Sequence, residues 1–202
     1  MTILKDFTDK KGNYDILWKH VARRKNKPLR KQLTKPLRTV IDIGAWWGPW
    51  TLWWQPHAKK VEVFEPNPHI LPMLENNIKE LPNCTLHKTA LGDVAGTVNM
   101  EYQSHSGTNH ITEFNGTIPL KTLDSYNFQD VDIIKIDVEG FETAVLEGAE
   151  QTIKTQKPII QVEGNSSGKR YGIHKQDIFN ILTSWGMIRI EKKWPDQVWT
   201  FI

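Results

Sequence analysis

The stretch Val40-Ile41-Asp42-Ile43-Gly44-Ala45-Trp46-Trp47-Gly48 constrains this chain more than any other. An apolar run ends in an acid, and two glycines follow four positions apart. A second apolar run, Val61-Glu62-Val63-Phe64-Glu65, ends in another acid 23 residues after Asp42. The pattern reads as strand, glycine turn, helix, strand, with a carboxylate at the tip of the second strand. A carboxylate there accepts hydrogen bonds from both hydroxyls of a ribose, so the layout suits a nucleoside-containing cofactor.

The rest of the chain alternates in the same way. Strands are predicted at Arg38 to Ile43, Lys60 to Phe64, Cys84 to Lys88, Val131 to Ile136 and Pro158 to Val162. Helices are predicted from Pro49 to His57, Pro68 to Glu80, Phe141 to Thr155 and His174 to Trp185. Gly96 to Tyr102 and Gly116 to Lys121 read as a hairpin-like β insertion, joined by a polar loop at Ser104 to Asn109. Gly186 to Glu191 and Gln197 to Ile202 read as a closing antiparallel pair. The expected fold is α/β: a mostly parallel, seven-stranded, Rossmann-like sheet with helices on both faces and an antiparallel last hairpin. The expected organisation is a basic helical lead-in over residues 1–38 and a single cofactor-binding domain over 39–202, with the β insertion at about 96–121.

Charge and cysteine content narrow the classes. Between Lys19 and Arg38 lie nine Lys or Arg residues and no acid, so residues 19–38 are a candidate nucleic-acid contact. Cys84 is the sole cysteine, which excludes an intrachain disulfide and fits a reducing, cytoplasmic setting. No apolar run reaches the roughly 18 residues of a membrane span, and the first residues lack the pattern of a signal peptide. Nine tryptophans is high for 202 residues, and five of them crowd positions 46 to 54. Some must pack under the sheet, leaving one or two to line a pocket.

The glycine turn departs from the dinucleotide fingerprint, because Trp46 stands where backbone must approach a pyrophosphate. That disfavours a dehydrogenase. A cofactor without phosphate relaxes the demand, and S-adenosylmethionine is such a cofactor. Its adenosine suits Glu65, its ammonium suits Asp42 or Asp137, and its carboxylate suits N–H groups near Trp47 and Gly48. A second acid pair closes Ile133-Ile134-Lys135-Ile136-Asp137-Val138-Glu139-Gly140, and Glu163 ends the fifth strand. Asp42, Glu65, Asp137, Glu139 and Glu163 are therefore expected on one rim. A sulfonium, an ammonium or a divalent metal would offset so many acids, although no metal is assigned.

The chain resembles the FkbM-type S-adenosylmethionine-dependent methyltransferases. The matching residues are Val40 to Ala45, Phe64-Glu65-Pro66-Asn67-Pro68, Ala90-Leu91-Gly92-Asp93, Thr122-Leu123-Asp124 and Lys135 to Gly140. The resemblance implies methyl transfer, commonly to a hydroxyl of a sugar or natural product. It implies that Asp42, Gly44, Ala45 and Gly48 hold the methionine part and Glu65 the ribose. Asn67 then lies beside the ribose, Ala90 and Asp93 near the adenine, and Asp137 at the transfer centre. Trp46, Trp47, Pro66 and Leu91 complete the candidate cofactor set. The family usually carries asparagine and a small or aliphatic residue where this chain has Trp46 and Trp47. Asp137, Glu163 and Glu139 are the candidate catalytic acids, and His105, His110 and His174 the candidate acceptor contacts. The expected acceptor is a hydroxyl-bearing small molecule or glycan. A ribose 2′-hydroxyl of RNA, reached through the basic segment, is the alternative substrate, and a non-catalytic binding module the alternative class.

Overall fold

The computed structural model describes residues 36–103, 108–164, 167–193 and 196–202. Residues 1–35 of the expected helical lead-in, with the basic segment 19–35, and His105 lie outside the described residues. Two sheets organise the remainder. The larger has seven strands: β1 (Leu37–Ile43), β2 (Ala58–Phe64), β3 (Cys84–His87), β8 (Val131–Ile136), β9 (Ile159–Glu163), β10 (Met187–Lys193) and β11 (Asp196–Phe201). Their order is β10-β11-β9-β8-β1-β2-β3. β1, β2, β3, β8 and β9 pair in parallel. β11 threads between β9 and β10 and runs antiparallel to both. This is the expected α/β, Rossmann-like sheet.

Strand alternation divides the core in two. Ile41, Ile43, Ile134 and Ile136 pack on one face with Val145, Ile153 and Leu182. These three come from α3 (Glu142–Glu147), α4 (Glu150–Gln156) and α5 (Lys175–Ser184). Val40, Val61, Val63 and Ile133 pack on the other face with α1 (Pro49–Trp54) and α2 (Leu71–Ile78). Trp50, Trp53 and Trp54 belong to this second core, each 5 % exposed or less. With Trp199 of β11, also buried, four of the nine tryptophans pack in the core.

The insertion is larger than a hairpin. β4 (Ala90–Leu91), β5 (Gly96–Glu101), β6 (His110–Phe114) and β7 (Ile118–Lys121) form a separate four-stranded sheet in the order β4-β7-β5-β6. β6 was not expected, because its five residues follow directly on the polar loop.

Two helices also differ from the sequence pattern. The helix expected from Pro68 begins at Leu71. Asn67 Oδ1 accepts the His69 N–H at 2.9 Å, and its carbonyl accepts from Ile70 and Leu71, so a turn precedes the helix. The single helix expected over 141–155 is two. The break falls at Gly148 and Ala149, where the chain packs on the backbone just after β4 and a Cβ on Gly148 would lie 1.9 Å from the Gly92 carbonyl oxygen. Asp124 then caps the second piece, accepting from the Gln151 and Thr152 N–H groups at 3.0 and 2.8 Å.

Candidate functional site

The carboxyl ends of β1, β2, β8 and β9 converge on a cavity of about 370 Å³. The second sheet forms its opposite lip through Ala90, Leu91, Met100, His110 and Ile111. Ligands of open α/β sheets bind at this end of the strands.

Gly44 sets the floor. Its φ is +73°, and a Cβ there would lie 1.9 Å from the Asp137 carbonyl oxygen. Only glycine lets β1 and β8 approach this closely. Gly44 and Ala45 both donate their N–H to the Phe64 carbonyl, at 3.0 and 3.1 Å, which fixes the turn against β2. Trp46 follows with φ +54°, a left-handed backbone that costs an indole on the order of 1 kcal/mol.

Glu65 is 6 % exposed and lines the cavity. One oxygen accepts the Trp46 N–H at 2.8 Å and the other the Asn67 N–H at 2.9 Å. Each oxygen keeps a lone pair for a ligand hydroxyl. Burial pushes the carboxyl up to about 7, against the pull of these two N–H groups.

The acids of the rim are balanced from within. Lys135, 2 % exposed, sits two residues before Asp137 and therefore on the same face of β8. Its ammonium donates to the Gly44 carbonyl at 2.8 Å and lies 3.5 Å from both Asp42 Oδ1 and Asp137 Oδ2. Burial opposes its charge, but Asp137 and Asp42 prevail and raise its pKa. Strand periodicity alone gives Lys135 no role. The available signal was one lysine in an apolar strand, in register with the acid two residues on.

Glu163, Asp137 and Glu139 each offer an oxygen within 4.8 Å of the others. Burial, then the charges of Asp137 and Glu139, push Glu163 up to about 9. Glu139 is also raised, by burial and by Asp137, while Ser167 Oγ donates to it at 3.4 Å. Glu142 is a further acid that the sequence reading missed. It is buried, accepts the Gly140 N–H at 2.9 Å and the Val138 N–H at 3.3 Å, and so holds the turn that presents Asp137 and Glu139. Burial pushes it up to about 7.

Of the candidate cofactor residues, Gly44, Trp46, Glu65, Pro66, Asn67, Ala90, Leu91 and Asp137 line the cavity. Asp42, Ala45, Trp47, Gly48 and Asp93 do not. Asp42 is fully buried beneath the floor and accepts from Thr51 Oγ1 at 2.6 Å. Ala45 packs in the second core. The Trp47 carbonyl accepts from Asn77 of α2 at 2.7 Å. The Gly48 N–H is already donated to Ala45, at 2.9 Å, so it offers no ready seat for an anion. Asp93 is exposed on the turn after β4.

Among the candidate acceptor residues, His110 lines the lip with Thr108 and Asn109. Its Nδ1 lies 3.3 Å from the Thr108 carbonyl and its Nε2 3.7 Å from Glu101. His174 instead begins α5, its N–H donated to Asp177 at 2.7 Å, and does not line the cavity. Cys84 lies in β3, and burial pushes its thiol up to about 12, which removes it as a nucleophile. Arg38 is paired with Asp130 and Asp132, so this member of the basic run is engaged within the fold. No helix among the described residues is long and apolar enough to cross a membrane.

Several solved methyltransferases have a similar shape. The chain superposes on a methyltransferase FkbM from Methylobacillus flagellatus KT with a TM-score of 0.60 and 16% identity. That match covers 87% of this chain but 47% of the Methylobacillus protein, so this chain spans about half its length. A putative methyltransferase from Streptococcus mutans, solved in complex with SAH, gives a TM-score of 0.55 at 12% identity, covering 88% of this chain and 96% of that one. A ribosomal protein L11 methylase from Lactobacillus delbrueckii subsp. bulgaricus gives 0.54 at 13%, covering 86% and 74%. At these identities the likeness is one of fold. No curated protein sequence matches the chain. The sequence pattern of the methyltransferase FkbM domain matches residues 42–189. That span runs from the acid of the first strand into β10, well over half of the chain, which therefore belongs to the FkbM methyltransferase domain family.

Proposed function

We propose that the protein transfers a methyl group from S-adenosylmethionine to a hydroxyl of a small molecule or sugar. The observation that carries this reading is one cavity lined by Glu65 together with Asp137 and Glu163. The cofactor supplies a methyl group bound to a positively charged sulfur, already a strong electrophile. Glu65 takes the two ribose hydroxyls on its remaining lone pairs. Phe64, Ala90 and Leu91 give the base an apolar wall. Asp137, beside Gly44, would attract the ammonium of the amino-acid tail and the positively charged sulfur.

What remains for the chain is alignment and removal of one proton. Alignment contributes up to about 7–11 kcal/mol, and a general base typically about 10²- to 10⁴-fold. Glu163 suits the second task because its affinity for a proton depends on its neighbours' charge. A positive sulfur beside it favours the ionised carboxylate. Glu163, whose affinity for a proton is raised by burial and by Asp137 and Glu139, would take up the acceptor's proton as the methyl group is transferred. Thr108, Asn109 and His110 provide a polar lip for a hydroxylic acceptor.

Titration calorimetry with S-adenosylmethionine tests the reading. The wild-type chain should bind it, Glu65→Ala should lose about 100-fold in affinity, and Glu163→Gln should bind but turn over at least 100-fold more slowly. Full turnover by both Asp137→Ala and Glu163→Ala would remove these acids from the chemistry.

A further inference from the structure

Trp46 is an unexpected residue for its position. It is half-buried, lines the cavity with Gly44 and Glu65, and holds a left-handed backbone that favours glycine or asparagine. Its backbone is pinned, since its N–H is donated to Glu65 and its two predecessors are tied to Phe64. Its ring packs against Trp47, with centroids 5.5 Å apart and planes tilted by 57°. Trp46 thus belongs to the cavity lining with its backbone held in place.

The same cavity is lined by Glu65, Asp137, Glu139 and Glu163 and by no lysine or arginine among the described residues. Lys135 lies beneath, engaged with Gly44, Asp42 and Asp137. Such a wall suits a cation. A sulfonium has no N–H to donate, so carboxylates attract it only through its charge. An aromatic face adds a direct contact to a poorly hydrated cation of this kind.

We propose that Trp46 is a specificity-determining residue whose indole reads the charge on the cofactor sulfur, favouring the sulfonium over the neutral thioether left after transfer. This rests on the cofactor assignment above and goes beyond it. It assigns Trp46 a share in product release, because the aromatic contact weakens once the methyl group has gone.

The test is equilibrium binding of three ligands to the full chain. They are S-adenosylmethionine, sinefungin (an amine in place of the sulfonium) and S-adenosylhomocysteine. Trp46→Asn suits the left-handed backbone and removes the ring. It should weaken S-adenosylmethionine roughly tenfold more than S-adenosylhomocysteine, whose retained binding shows an intact cleft, and sinefungin by less than S-adenosylmethionine, because the carboxylates still accept its ammonium N–H groups. Trp46→Phe should show the same bias in smaller measure, and it supplies the test if the asparagine variant does not fold. An equal loss for all three ligands, or no loss, overturns the role of Trp46 and leaves the cofactor assignment standing. A wild-type chain that binds none of the three overturns both.

Discussion

The two sides of the cavity are built differently. The rim of the seven-stranded sheet is over-determined. Gly44 has no room for a Cβ, Glu65 is held by two backbone N–H groups, and Lys135 ties β1 to β8. The lip from the four-stranded sheet is looser. His110 makes one long contact to Thr108 and one at 3.7 Å to Glu101, and Thr108 is exposed. A rim fixed by backbone geometry suits a ligand that never changes. A lip made of side chains on an inserted sheet suits a ligand that differs between relatives. On the function proposed above, the cofactor would lie along the rim and against Ala90 and Leu91, and the acceptor at Thr108, Asn109 and His110.

The sharpest way to break this contrast is at the floor. Gly44→Ala should cost on the order of 4 kcal/mol, since it combines a left-handed backbone with a clash against the Asp137 carbonyl, and should abolish cofactor binding. Denaturant unfolding checks it. Lys135→Met should come next, at about 3–5 kcal/mol, because it strips the cation from Asp42 and Asp137.

A pH series then tests the buried acids. Glu65 and Glu142 sit at about 7 when folded, against 4.5 ordinarily. The folded protein therefore holds more protons than the unfolded chain between those values. Its stability should be complete below pH 4.5 on this account and should fall as pH rises to 7, by up to about 3 kcal/mol per group. Cofactor affinity should move the opposite way, rising through pH 7 as Glu65 ionises to receive the ribose. Glu65→Gln should remove that rise. The smallest effect belongs to the lip: His110→Ala should raise the acceptor KM by less than about tenfold and leave the cofactor Kd unchanged. An equal change in both constants would erase the division between rim and lip.

The sequence was informative where backbone geometry and strand alternation decide. An apolar run with an acid at its tip leaves few choices, so β1, β2, β8 and β9, and the convergence of Glu65, Asp137, Glu139 and Glu163, were legible. It was less so where a side chain's partner is distant in the chain. Asp42 stands one residue from the visible glycine turn, yet alternation sends its side chain under the floor to Thr51. Lys135 could be placed on the face of Asp137 but not seen to reach Gly44 across the sheet. The helix break at Gly148 packs against Gly92, far away in sequence, and β6 depends on its pairing with β5. Trp46 and Trp47 read alike as residues, and only the fold puts the first in the cavity wall and leaves the second outside its lining.

A crystal structure of the chain soaked with S-adenosylhomocysteine tests the central claim most directly. The account predicts both ribose hydroxyls on the Glu65 carboxylate, with the sulfur turned toward Asp137 and Glu163. A ligand bound elsewhere, or a ribose held by other residues with the sulfur facing away from those two acids, would contradict it.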